Sequence, residues 1–140
     1  MTSNSQEWET PQYLFDELNL EFKFEVDLCA SKLNKKCYAF LDKQKNALDW
    51  VWSAWWKSGW LNPPFGRDVG QWIQKAYEES LEGMTVVCLV PARVDTKWFH
   101  EFVLGKAEIR FVKGRLNFSG AKHNAPFPCM ILIFKQRYTK

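Results

Sequence analysis

The segment Thr85-Val86-Val87-Cys88-Leu89-Val90 is an almost unbroken apolar run closed by Pro91. A strand with one face in water alternates apolar and polar side chains, whereas a strand covered on both faces has no such need. The run therefore predicts a central strand with packing layers above and below, and its neighbours must supply those layers. Helix and strand patterns alternate around it. Thr10-Pro11 opens a helix over about residues 11–19, because Pro suits a first helical turn and Tyr13, Leu14 and Leu18 follow at helical spacing. Residues 22–28 alternate apolar with polar and reach the small residues Cys29-Ala30-Ser31, which predicts a strand opening into a loop. Tyr38–Leu41 and Ser58–Leu61 predict short strands, and Val69–Leu81 a helix with Val69, Trp72, Ile73, Ala76 and Tyr77 on one face. A further helix is expected over Asp95–Leu104, with strands over Glu108–Val112, Arg115–Phe118 and Cys129–Phe134. This alternation argues for an α/β sheet with ligands at the carboxyl ends of its strands.

No repeat or linker divides the 140 residues, so one domain over residues 1–140 is expected. No apolar stretch is long enough to span a membrane, and the polar start MTSNSQEWET has no signal-peptide core, which points to the cytoplasm. Cys29, Cys37, Cys88 and Cys129 lack metal-binding spacing and His100 and His123 are far apart, so buried thiols and no metal are expected. Charge is divided unevenly: 9 Lys and Arg against 13 Asp and Glu in residues 1–92, but 10 against 3 in residues 93–140. The basic part suits either phosphate contact or plain solvation.

The strongest chemical signal is Asn62-Pro63-Pro64-Phe65, at the end of a predicted strand and just ahead of a predicted helix. A tetrapeptide of this type arises by chance on the order of one per cent of the time in such a chain. The alternative is a Pro-Pro turn that only breaks the strand and returns Phe65 to the core. As chemistry, the loop suits an aromatic amine, whose lone pair is delocalised and weakly nucleophilic. The Asn62 amide oxygen and the Pro63 carbonyl can accept its two N–H bonds and favour a tetrahedral nitrogen. Proline presents that carbonyl rigidly, and Phe65 offers a ring on which an extruded base can stack.

With these residues in view, the chain resembles the phage-type, Dam-like DNA N6-adenine methyltransferases. The resemblance rests on Trp8-Glu9-Thr10-Pro11-Gln12 with Leu14-Phe15, on Asp27-Leu28-Cys29-Ala30, and on Asn62-Pro63-Pro64-Phe65-Gly66. It continues through residues 90–100, from Val90-Pro91-Ala92-Arg93 to Trp98-Phe99-His100, and through residues 110–118, from Arg110-Phe111-Val112-Lys113 to Leu116-Asn117-Phe118. It implies a compact Rossmann-like methyltransferase domain with a mixed, mostly parallel sheet flanked by helices, S-adenosylmethionine as donor and adenine in DNA as acceptor. By the same match Asp27, Cys29 and Ala30 lie near the donor's methionine part, and Thr10-Pro11 leads a helix that closes over it. The Gly-rich loop common in methyltransferases is missing from residues 27–31. Asp42, after the second strand, is preferred to Asp49 for the donor's ribose.

Candidates for DNA contact are Arg67, Arg93, Lys97, Arg110, Lys113 and Arg115, in or beside the matching blocks. The rings of Trp50, Trp52, Trp55, Trp56 and Trp60 are assigned to the core or a partner surface. Two other readings stay open at this point: a protein glutamine N-methyltransferase that uses the same loop, and a DNA-binding relative that no longer binds donor.

Overall fold

The computed structural model describes residues 9–42, 46–118 and 124–136. Trp8 and His123 lie outside the described residues. Val26–Ala30 (β1), Ala39–Asp42 (β2), Ser58–Leu61 (β3), Thr85–Pro91 (β4), Glu108–Phe111 (β5) and Cys129–Phe134 (β6) form one sheet in the order β2-β1-β3-β4-β6-β5. The β2, β1, β3 and β4 strands are mutually parallel, and β6 runs antiparallel to both β4 and β5. Helices Gln12–Phe22 (α1) and Val69–Leu81 (α2) cover the sheet, giving the mixed Rossmann-like α/β arrangement that the sequence implied.

Two apolar layers meet on the central strands. In β4, Val86, Cys88 and Val90 face one layer with Ile73 and Ala76 of α2, while Val87 and Leu89 face the other with Phe15 and Leu18 of α1. All five β4 side chains are fully buried, as the apolar run requires. Trp52 and Trp60 serve one layer each, whereas Trp50 and Trp55 are exposed. Gly59 in β3 is a packing requirement, since a Cβ there would lie 2.7 Å from Leu28 Cδ1 and 2.8 Å from Met84 Cε.

Strand order reverses between β1 and β3. From β1 the chain moves outward to β2, then returns to place β3 on the other side of β1. Connections leaving in opposite directions open a crevice beyond the carboxyl ends of the two strands. At the opposite end of the sheet, α2 closes on Gly83 at φ 102°, with Gly83 N–H donating to Ser80 O and Met84 N–H to Glu79 O. This is a tight glycine-capped turn into β4.

Three expectations change. The α1 helix continues to Phe22 and ends at Lys23 in the left-handed region, φ 51°, so the strand starts at Val26 and not at Phe22. Phe22 stands four residues after Leu18 on the helix face and stacks on Phe24, with centroids 5.9 Å apart; it completes a helical stripe instead of a strand alternation. Within Asp95–Leu104 the regular helix gives way to a π-helical turn, Phe99–Val103, in which Leu104 N–H donates to Phe99 O; the wider turn buries both Phe99 and Val103. Arg115–Phe118 is no sheet strand. Leu116 and Phe118 are buried as the alternation requires, but they lie over the α1-side layer, where Leu116 O accepts from Ala125 N–H.

Glu79 shows how the β2–β3 connection is held. Its buried carboxylate accepts from Trp52 N–H and Ser53 N–H, each at 2.9 Å, and pairs with Lys75 at 3.0 Å. Removing it strands two backbone donors beside the core. Glu79→Ala should therefore lower unfolding stability in urea by about 2–4 kcal/mol; a loss below about 0.5 kcal/mol, the level of an ordinary surface change, would contradict this account.

Candidate active site

The crevice at the strand reversal is a cleft of about 170 Å³, below the roughly 300–1,000 Å³ of most small-molecule pockets, so its enclosed part takes only part of a larger ligand. Three strand ends form its walls. Asp27, Cys29 and Ala30 come from β1, Asp42 ends β2, and Asn62-Pro63-Pro64 follows β3. Pro63 and Pro64 lack the N–H groups that would extend β3, so the ladder stops at Leu61 and the loop turns along the rim. The strap before α1 closes one side. There the Thr10 hydroxyl accepts a hydrogen bond from Asn62 Nδ2 at 2.9 Å, joining positions 52 residues apart. Thr10 and Asp27 are both buried, each 3% exposed.

The sequence matches the model of the family described as DNA N-6-adenine-methyltransferase (Dam) over residues 1–140. The chain belongs to this family. Similar proteins include a DNA N-6-adenine-methyltransferase of Escherichia phage T1, 33% identical over 114 residues, which are 78% of this chain and 45% of that protein. Another, of Haemophilus phage HP1 (strain HP1c1), is 30% identical over 112 residues, 79% of this chain and 64% of that protein. The chain thus spans about half to two-thirds of the length of these relatives. No solved structure matches it.

In this adenine-methyltransferase family member, the residues singled out in the sequence fall into three groups. Thr10, Asp27, Cys29, Ala30, Asp42, Asn62, Pro63 and Pro64 share the cleft. Pro11 and Phe65 do not line it. Pro11 is buried as the N-cap of α1, and Phe65, 4% exposed, meets the ring edges of Phe118 and Phe127, each with centroids 5.8 Å away. The third group is the cationic one. Because β5 runs parallel to β4, the residues that follow both strands emerge at the same end of the sheet as the cleft. Arg67 after β3, Arg93 and Lys97 after β4, and Lys113 and Arg115 after β5 are exposed along that end. Arg110 is different: it makes two bonds to Glu21, at 2.7 and 2.8 Å, and one to Glu108 at 2.7 Å, so much of its charge is already matched.

Sequence reasoning passed over the β1–β2 connection. Ser31, Asn34 and Lys36 line the cleft, with Asn34 Oδ1 accepting from Ser31 N–H at 2.8 Å and Lys36 Nζ donating to Gln12 Oε1 at 2.8 Å. The Ser31-x-x-Asn34 spacing after a strand was the available signal, since both side chains cap tight turns. Among the described residues no group of three His, Cys, Asp or Glu could hold a metal ion, and no helix is long and apolar enough to cross a membrane.

Burial pushes the Asp27 carboxyl up to about 6, and the N–H groups of Lys36 at 2.9 Å and Cys29 at 3.3 Å offset that only in part. The folded protein then keeps this proton over a range where the unfolded chain, near the ordinary 3.8, has lost it. The resulting stability is fully present below about pH 4 and is lost as pH rises through about 6. Carboxyl-detected NMR of the ligand-free protein should give Asp27 a midpoint of about 6. A midpoint of about 4, the value of a solvated aspartate, would contradict its desolvation.

Proposed function

We propose that this chain, acting as one domain, transfers a methyl group from S-adenosylmethionine to the N6 amine of adenine in DNA. The observation that carries the reading is a shared wall: the Asn62-Pro63-Pro64 loop lines the same cleft as the carboxylates of Asp27 and Asp42. Family membership supports the substrate. When bound, the donor supplies an electrophilic methyl group on a sulfonium centre.

The residues present fit that donor. Asp27 is a desolvated carboxylate held by two backbone donors, and a ligand ammonium beside it would favour its charged form. Asp42 ends the adjacent strand and suits ribose hydroxyls. Cys29 and Ala30 are small enough for close approach without glycine, Thr10 closes the side wall, and Pro11 anchors the strap through its carbonyl, which accepts from Leu14 and Phe15 N–H.

On the acceptor side, the Asn62 amide oxygen and the Pro63 carbonyl receive the two hydrogens of the target amine, leaving its lone pair directed at the methyl group. The adenine must leave the base stack to reach the cleft. Phe65 braces the loop from the core through the ring edges of Phe118 and Phe127, so in this reading its part is to hold Asn62-Pro63-Pro64 in place. Arg67, Arg93, Lys97, Lys113 and Arg115 engage phosphates along the rim, with Arg110 contributing less because Glu21 and Glu108 already match it. These reactants meet in the cytoplasm of a host cell.

Incubation with labelled donor and mixed DNA, RNA and protein should yield N6-methyladenine in DNA. Asn62→Ala should lower turnover roughly 100- to 1000-fold while donor binding by calorimetry persists, since the side chain acts mainly on the amine in the transition state. Methylcytosine or methylglutamine as product, or full activity in the variant, would overturn the reading. For the rim, log affinity for DNA should fall steeply with log salt concentration, and Lys113→Glu or Arg115→Glu should reduce the slope by about one per lost phosphate contact. Unchanged slopes in both would remove that part of the rim from the DNA interface.

A further inference from the structure

We propose that the groove along the free edge of β2 holds an unpaired stretch of DNA, its bases stacked on the rings of Tyr38 and Trp50 and its phosphates set over Lys35. The choice of DNA rests on the function proposed above. The groove encloses about 390 Å³, more than the cleft, and is lined by residues 38–41 together with Lys35, Trp50 and Trp56. Only β1 pairs with β2, so the groove follows the outer edge of the sheet.

The rings are exposed to a degree that core packing does not need. Tyr38 is 95% exposed, Trp55 66% and Trp50 41%, although Trp52 beside them in the chain is fully buried. Trp50 and Trp56 stack with planes 23° and centroids 6.5 Å apart, and Trp55 extends the surface 6.0 Å from Trp50. A contiguous exposed patch of this kind marks a binding surface. Charge identifies the partner. Residues 32–41 carry 3 Lys and no acid, within a half, residues 1–92, that otherwise carries 6 Lys and Arg against 13 Asp and Glu. Lys35 Nζ stands 5.1 Å from the ring centroids of both Tyr38 and Phe40 and donates to Tyr38 O at 3.3 Å, so a cation is fixed beside the rings. Lysine is depleted from protein–protein interfaces, whereas rings interleaved with cations are the means by which proteins hold unpaired nucleic-acid strands. A duplex hides the faces of its bases and cannot stack on this surface.

The groove also adjoins the cleft. Lys35 lines the groove and Lys36 the cleft, and Leu41 lines the groove and Asp42 the cleft. The β1–β2 connection and β2 are therefore a wall common to both, and a strand whose adenine enters the cleft has a route past Lys36 to Lys35. Asp49 is exposed next to Trp50, which sets how the strand lies: phosphates on the lysine side, bases on the tryptophan side.

The test follows, by fluorescence anisotropy, a labelled oligothymidylate of about twelve residues, within the site size of single-strand binders and with no adenine for the cleft. A G·C duplex and an oligouridylate of the same length, calorimetric donor binding and melting curves run alongside. Tyr38→Ala and Trp50→Ala should each weaken oligothymidylate binding about 5- to 150-fold, the loss of one stacked base, with donor and duplex Kd changed less than about threefold. Trp50→Phe, which keeps a ring, should recover most of that affinity. Lys35→Gln should flatten the dependence of log affinity on log salt by about 0.7, the share of one phosphate contact on a single strand. Oligothymidylate affinity unchanged in both ring variants, equal losses for single strand and duplex, tighter binding of oligouridylate, or lost donor affinity in both ring variants would each overturn the proposal. A dimer that Trp50→Ala dissociates while oligothymidylate affinity stays intact would assign the groove to a second copy of the chain instead. If Trp50→Ala does not fold, Tyr38→Ala and Trp55→Ala decide by the same criteria. Because the probe has no adenine, binding is read apart from methyl transfer. Failure of the wild type to form N6-methyladenine in DNA would refute the function proposed above, whereas unchanged oligothymidylate binding in the ring variants refutes only the role given to the groove.

Discussion

The rest of the molecule depends on β4 being buried on both faces. A strand with Val86, Cys88 and Val90 in one apolar layer and Val87 and Leu89 in the other cannot lie at an edge or with a face in water. It needs a strand on each side and a covering layer on each face. The β3 and β6 strands supply the first, and α1 and α2 supply much of the second. With β3 parallel to β4, the intervening chain must return to the starting end of the sheet, and α2 makes that return. The sheet and its principal helices thus follow from the covering needs of one heptapeptide.

The site is a by-product of the same topology. Parallel strands all deliver their loops to one end, and the order reversal between β1 and β3 keeps two of those loops apart. Pro63 and Pro64 then stop the ladder at the end of β3 and carry the chain along the cleft. The α1 strap ties the two sides together through Thr10 and Asn62 and through Gln12 and Lys36. Antiparallel β6, inserted between β4 and β5, brings β5 into line with β4 and so adds Lys113 and Arg115 to the same end of the sheet.

Much of this could be read from the sequence because burial leaves a periodic trace. The bounds of β3 and α2 agree with the pattern of apolar residues, and Pro63-Pro64 marks the end of the strand. Two of the misreadings share a cause: periodicity reports which side chains are buried, not the backbone that carries them. Leu116 and Phe118 gave a strand signal because alternate residues are buried, yet they pack over a face of the sheet instead of joining its ladder. Phe22 and Phe24 gave another although a left-handed residue separates them. For Phe65 the two sequence readings, core return and cleft ring, were both chemically sound, and in the folded chain it packs in the core. Partners distant in sequence left no local trace, which is why the pairing of Arg110 with Glu21 and of Thr10 with Asn62 could not be read before the fold was known.

The turn at Gly83 stands at the end of the sheet remote from all these loops. Glu82 and Gly83 are exposed, the turn is held by its own backbone bonds, and no residue that lines the cleft is near it in the chain. For protein engineering this makes it a natural splice point. An inserted peptide, a fluorescent reporter or new chain termini joined there would leave the cleft end of the sheet undisturbed, whereas the same insertion at the ends of β1, β3 or β4 would land among the residues that line or flank the cleft.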